Sequence, residues 1–224
     1  MTEEIRRFCA RVEFPVIFLD VMPFSRPEEF PARSCYVGFS QTEIGTEAAR
    51  WVAEAMSTAG NPAPRILVIS GTGQAGRQQA FLEAIRDKLP GAVVEVNQHG
   101  SFGRDRASEI ARRYLRNLRR QGGLPLQVIF CTNDEMALGA VDALQEEKAL
   151  GHAHDDVIVV GVDGTDEAIS VIRSGGANLQ ATVVQDSRRI AEMATSILIR
   201  SVSGERPQPI TTLPVNVYPH DLPG

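Results

Sequence analysis

The chain has 224 residues, 43% hydrophobic, 23% charged and 6% aromatic, a balance that excludes a disordered or fibrous chain and allows one large domain or two small lobes. Its 28 acidic residues outnumber 23 basic ones, for a formal net charge of -5, so a broad basic footprint for nucleic acid is excluded. The opening stretch MTEEIRRFCARVEF has acids and no signal-like apolar run, and nowhere do about eighteen apolar residues follow one another, so neither export of the chain as written nor membrane insertion is expected.

Short β-rich apolar runs alternate with helix-length amphipathic segments, which is an α/β pattern. The first run is FPVIFL at 14–19, and a helix is predicted over 43–57. After the connector NPAPR at 61–65 come RILVIS at 65–70, a helix over 77–88, AVVEV at 92–96 and a helix over 104–121. After the connector RQGGLP at 120–125 come QVIFC at 127–131, a helix over 135–148, VIVVGV at 157–162 and a helix over 166–173. LQATVV at 179–184 and a helix over 187–201 follow, and SGERPQPITTLP at 203–214 reads as an extended linker to a last short strand. Continuous Val and Ile content suits parallel strands covered on both faces, and each helix can carry a right-handed crossover. No internal repeat, heptad run or clean domain boundary is visible.

In an open parallel sheet, ligands bind beyond the carboxyl ends of the strands. Those positions hold Asp20 after VIFL, the loop GTGQAGR after RILVIS, residues 98–102 after VVEV, Asn133 and Asp134 after VIFCT, Asp163 after VIVVGV, and Gln185 after ATVV. Gly71, Gly73 and Gly76 spell GxGxxG between a strand and a helix, and Glu95 follows at the spacing of a ribose-binding acid. Glu95, however, lies inside its strand rather than at the end, so a glycine-rich turn is the simpler reading and a nicotinamide enzyme the alternative.

Arg77 opens a helix, where a cation meets the positive end of the dipole; either it is a solvated surface residue or its fork of donors serves ligand hydroxyls. One of Asn133 and Asp134 suffices as an N-cap, which leaves Asn133 to read paired hydroxyls while Asp134 caps. Asp163 before Gly164 suits a turn as well as a ligand contact. Phe102, in HGSFGRDRAS, is either a staple for the next helix or an aromatic face for a sugar ring, whereas Trp51 sits at the apolar spacing of a helix core.

Cys9, Cys35 and Cys131 have neither CxxC nor metal-ligand spacing and read as reduced, isolated thiols. His152 and His154 are close in sequence but lack a third ligand, so no metal is expected, and the absence of GxSxG, HExxH and Walker A motifs removes the easiest enzyme readings. We therefore expect no catalytic residue and no cofactor.

The segments FPVIFLD, GTGQAGRQQAFLEAI, QVIFCTNDEMALGAVDAL, VIVVGVDGTDEAISVIRSGG and LQATVVQDSRRIAEMATSIL, in that order, resemble the sugar-binding type of periplasmic binding protein, together with the effector domains of LacI-type repressors. The most specific part is TNDEMALGA followed by VGVDGT and ATVVQD. The resemblance implies a type I periplasmic-binding-protein-like α/β fold in which two lobes close over one sugar. It also implies ligand-reading roles for Asp20, Arg77, Phe102, Asn133, Asp163 and Gln185. As protein partner it implies an ABC-transporter permease or a chemoreceptor.

Val21 stands where ribose binders carry an arginine, which argues for a different sugar or polyol. By the same resemblance the family's amino-terminal third lies outside the chain. Residues 1–37 would be a remnant of the first lobe, 38–185 a complete ligand-binding lobe with a five-stranded sheet, 186–213 a first-lobe helix and linker, and 214–224 a return strand and tail. FPVIFL would present an unpaired apolar edge, an invitation to a homodimer, and sugar affinity of the chain alone is expected to be weak or absent. An effector domain of a LacI-type regulator and a nicotinamide enzyme using the GTGQAG loop are the competing functions.

Overall fold

Val, Ile and Leu fill the strands, and helices with one apolar face cover them, as the alternation of the sequence requires. In the computed structural model, residues 2–71, 75–122, 125–152 and 154–219 are described. In chain order the elements are α1 (Thr2–Arg11), β1 (Val16–Leu19), β2 (Ser34–Phe39), α2 (Gln41–Thr58), β3 (Arg65–Ile69), α3 (Ala75–Lys88), β4 (Val93–Asn97) and α4 (Arg104–Gln121). They continue with β5 (Val128–Cys131), α5 (Asp134–Ala149), β6 (Ile158–Asp163), α6 (Asp166–Ser174), β7 (Leu179–Val184), α7 (Ser187–Val202), β8 (Ile210–Leu213) and β9 (Asn216–Tyr218). The chain divides into two units, Met1–Ser40 with Asp186–Pro214, and Gln41–Gln185 with Val215–Gly224.

The first unit holds a parallel three-stranded sheet in the order β1-β2-β8. Phe24 packs edge-on against Phe18 and Phe30, and Tyr36, Ile5 and Ile210 complete a small cluster. Two of these strands were not expected. SCYVGF forms β2, buried along its whole length, although Ser, Cys and Gly dilute its β signal. ITTL within the predicted linker forms β8, because β2 offers it a ladder from Tyr36↔Ile210 to Phe39↔Leu213. β1, like β8, is an outer strand of this sheet, paired with β2 on one side.

The second unit holds a six-stranded sheet in the order β4-β3-β5-β6-β7-β9. Five strands are parallel; β9 adds antiparallel to β7, with Val183↔Val217, and makes the sheet six-stranded rather than five. One face, with Leu67, Ile69, Ile129 and Val159, packs on Ile110, Ala111 and Leu115 of α4 and on Ala137, Val141 and Leu144 of α5. On the other, Phe81 of α3 stacks on Phe130 with ring centroids 4.1 Å apart. Trp51 is 3% exposed, in keeping with a core role. Among the described residues, no helix is long and apolar enough to cross a membrane.

Candidate functional site

Parallel pairing puts the carboxyl ends of β3, β5, β6 and β7 along one rim of the second unit, so the polar residues that follow each strand converge there. Arg77 binds them together. It lies in the first turn of α3, which starts at Ala75, and is 5% exposed. Its Nε donates to Gln41 Oε1 at 2.5 Å, Nη1 to the carbonyl of Thr132 at 2.8 Å, and Nη2 to Gln185 Oε1 at 3.2 Å. Nη1 also stands 3.6 Å from Asp163 Oδ1. The cation at the helix start is thus offset by acceptors from the protein itself, and the reading of Arg77 as a solvated surface residue is corrected.

Gln185 Nε2 donates to Asp163 Oδ1 at 2.6 Å, which closes an Arg77–Gln185–Asp163 triangle. Asp163 ends β6 with φ of 122°, a region that residues with a side chain seldom adopt. Next to it, Asn133 is the N-cap of α5: its Oδ1 accepts from Met136 N at 2.9 Å and its Nδ2 donates to the Phe102 carbonyl at 3.2 Å. This reverses the expected division of labour. Asp134 does not cap; it is fully buried, and burial pushes its carboxyl above the usual range against hydrogen bonds from Thr182 and Thr165.

Phe102 has φ of 58° and is 41% exposed. Its ring lies over Gly71, where a Cβ would come within 2.3 Å of Cε1, so glycine is required there. The same ring covers the first glycine of GTGQAG, whose positions 72–74 lie outside the described residues. Glu95 sits opposite Leu67 in mid-strand, accepts from Tyr114 Oη at 2.7 Å and pairs with Arg65 at 2.8 Å. It therefore belongs to a surface cluster short of the strand end where a ribose would lie, and the burial of Tyr114 and its hydrogen bond to Glu95 push the phenol up to about 12 against the opposing Arg65.

Asp20 stands in the first unit, at the carboxyl end of β1, with φ of 61°. Its backbone carbonyl accepts from Tyr36 Oη at 3.1 Å. Gln41 and Thr132 were not singled out in the sequence; the signal for Gln41 was hidden because β2, which delivers the chain to it, was not recognised. Gln78 likewise joins the rim, accepting from Ser70 Oγ at 2.7 Å and Gln98 Nε2 at 3.2 Å. A groove of about 560 Å³ between α4 and α5 lies on the helical face instead, and its Arg112 and Glu146 are paired at 2.9 Å. Among the described residues no group of three or more His, Cys, Asp or Glu could hold a metal ion.

Residues 13–206 match the model of a family described as periplasmic binding protein domain. The chain is 26% identical over 206 residues to the ribose import binding protein RbsB of Bacillus subtilis (strain 168), covering 92% of this chain and 61% of that protein. It is 22% identical over 187 residues to a putative rhizopine-binding protein of Rhizobium meliloti, covering 83% and 57%. A periplasmic solute-binding protein of an ABC transporter from Actinobacillus succinogenes 130z, solved with bound D-allose, superposes with a TM-score of 0.81 at 21% identity, over 97% of this chain and 73% of that one. A solute-binding protein from Bacillus halodurans C-125 with bound myo-inositol gives 0.78 at 22% identity, over 97% and 70%. These two likenesses establish the α/β fold. The chain spans 57% to 61% of the length of the two sequence relatives. With 13–206 matched, the chain belongs to the periplasmic binding protein domain family.

Proposed function

We propose that this chain is a non-catalytic recognition module for a small polyhydroxylated solute, a sugar or cyclic polyol, delivered to an ABC-transporter permease. The observation that carries the reading is the Arg77–Asp163–Gln185 triangle at the strand-end rim, beside the half-exposed ring of Phe102. Carboxylate, amide and guanidinium groups can give or take paired hydrogen bonds with vicinal hydroxyls, and an aromatic face suits the C–H surface of a sugar ring. In this reading Asn133 presents its Nδ2 to a hydroxyl on the same rim. Asp20 joins the proposal through the family resemblance and its place at the end of β1. The names of the relatives, which speak of ribose, rhizopine, D-allose and myo-inositol, support the class and leave the individual solute open. They favour this reading over a repressor effector domain.

Arg77, Gln185 and Asp163 already satisfy one another, so a solute has to displace bonds as it makes them, and we expect an affinity weaker than about 1 μM. A thermal-shift screen over pentoses, hexoses and inositols tests the reading, since a ligand that binds the folded state raises the midpoint. The expected result is a rise with at least one polyol at about 100 times its Kd, equivalent to about 2.7 kcal/mol. No rise with any of them, together with flat titration calorimetry, overturns it.

A further inference from the structure

Immediately after Asp163 the backbone turns, and its next two N–H groups point at buried side chains. Gly164 N donates to Thr182 Oγ1 at 3.1 Å, and Thr165 N donates to Asp134 Oδ2 at 2.8 Å. Thr182 Oγ1 donates its own proton to Asp134 Oδ1 at 2.7 Å. The three bonds are compatible, because a hydroxyl can give one hydrogen bond while accepting another, and a carboxylate accepts at both oxygens. Asp134, from α5, and Thr182, from β7, are both 0% exposed, so neither can touch a solute.

A buried carboxylate is costly unless it is hydrogen-bonded, and Asp134 accepts from the Thr165 amide and from Thr182 Oγ1, which in turn accepts from the Gly164 amide; both amides follow a residue with φ of 122°. Gly161 in β6 makes room for it: a Cβ there would come within 2.2 Å of Asp134 Oδ1. The turn is therefore held from below by α5 and from the side by β7. What it holds up is the Asp163 carboxylate, 2.6 Å from Gln185 Nε2 and 3.6 Å from Arg77 Nη1.

We propose that Asp134 and Thr182 are positioning residues that clamp the turn 163–165 and thereby set the direction of the Asp163 carboxylate. The inference rests on the reading of the strand-end rim as the solute site, but the clamp itself can be measured without a solute.

The test uses the full chain with Thr182→Val, which keeps the shape and removes the hydroxyl, Thr182→Ser, which keeps the hydroxyl, and Asp134→Asn. Three quantities are followed by NMR: amide exchange at Gly164 and Thr165, the side-chain amide signal of Gln185, and titration with D-ribose, D-allose and myo-inositol. With Thr182→Val, exchange at both amides accelerates at least about tenfold while β3 is unchanged, and the Gln185 side-chain signal moves. Affinity for whichever probe binds the wild type falls at least about tenfold, and Thr182→Ser stays near wild type in all three. If Asp134→Asn does not fold, the threonine pair carries the test. Unchanged exchange and an unmoved Gln185 signal in Thr182→Val overturn the proposal; so does an affinity that survives the loosened turn. If the wild type binds none of the probes, the solute reading fails, and the Gln185 signal alone decides for or against the clamp.

Discussion

An aspartate with a positive φ follows β1 and another ends β6, Asp20 at 61° in the first unit and Asp163 at 122° in the second, yet the two side chains live in different surroundings. Asp163 leans on Gln185 and Arg77 and is followed by two anchored amides. Asp20 is exposed, and its hydrogen bonds run through backbone atoms, from its N to the Val37 carbonyl and from Tyr36 Oη to its own carbonyl. The contrast extends to the strands: β6 is buried over Ile158–Val162 in a six-stranded sheet, whereas β1 is half-exposed at the margin of a three-stranded one. Similar runs of Val, Ile and Leu acquire different burial because one has strands on both sides and the other on one.

The largest effect that would break this contrast lies in the core. Phe130→Ala removes a ring stacked on Phe81 and should cost about 3–5 kcal/mol in chemical denaturation, while Leu19→Ala, at a site 47% exposed, should cost under about 1 kcal/mol. Equal costs would show that the two units share one level of packing.

Next in size is the pair of aspartates. Asp163→Ala should weaken polyol binding by at least about tenfold, about 1.4 kcal/mol, in calorimetry against whichever solute shifts the melting point. In the folded chain without solute, Asp20→Asn should change stability by less than about 0.5 kcal/mol, because Asn tolerates a left-handed backbone as Asp does.

The pH dependence sharpens the comparison within the second unit, between two carboxylates that burial treats alike. Glu147 is 1% exposed; burial pushes its carboxyl up, but Arg119 at 2.8 Å and Arg116 at 3.4 Å prevail and hold it below the usual range. A folded-state value below the unfolded one means that Glu147 contributes stability above the unfolded carboxylate range, near pH 4.3, and loses it as pH falls through the folded value. Asp134 is raised instead, so its contribution is present below the unfolded range and is lost as pH rises through its folded value. Glu147→Gln should therefore cost on the order of 1 kcal/mol at pH 7 and flatten the acid side of the stability curve, whereas Asp134→Asn should not flatten it. Urea midpoints between pH 3 and pH 7 check this, and an unchanged acid limb in Glu147→Gln would remove the ion pairs as its cause.

The smallest effect concerns the margin of the first unit. Leu19→Lys should leave the urea midpoint within about 0.5 kcal/mol of wild type, and light scattering should show less self-association if the outer edge of β1 recruits a second copy.

The strands and helices of the second unit were legible because burial on both faces demands uninterrupted Val and Ile, and the covering helices demand an apolar stripe; both leave marks within a few residues of each other. β2 and β8 left none. Ser, Cys and Gly weaken one and a Pro-rich approach disguises the other, and each is a strand because the other lies beside it, with Tyr36 facing Ile210 across a ladder that joins distant parts of the chain. The rim residues Phe102, Asn133, Asp163 and Gln185 could be named from the sequence, since each follows a recognisable strand or precedes a recognisable helix.

What the sequence determined by itself is therefore the alternation of strands and helices in the second unit, its parallel sheet and the set of polar groups delivered to its rim, all consequences of local periodicity and turn chemistry. Tertiary structure alone decided how those groups divide their hydrogen bonds. Asn133 caps α5 while Asp134 turns inward, because Gly161 leaves space beside β6 and Thr182 and Thr165 supply donors there. Arg77 is buried rather than solvated because Gln41, Thr132 and Gln185, from three separate segments, meet its guanidinium at fixed distances, and a buried charge needs partners that only the folded chain can bring within reach.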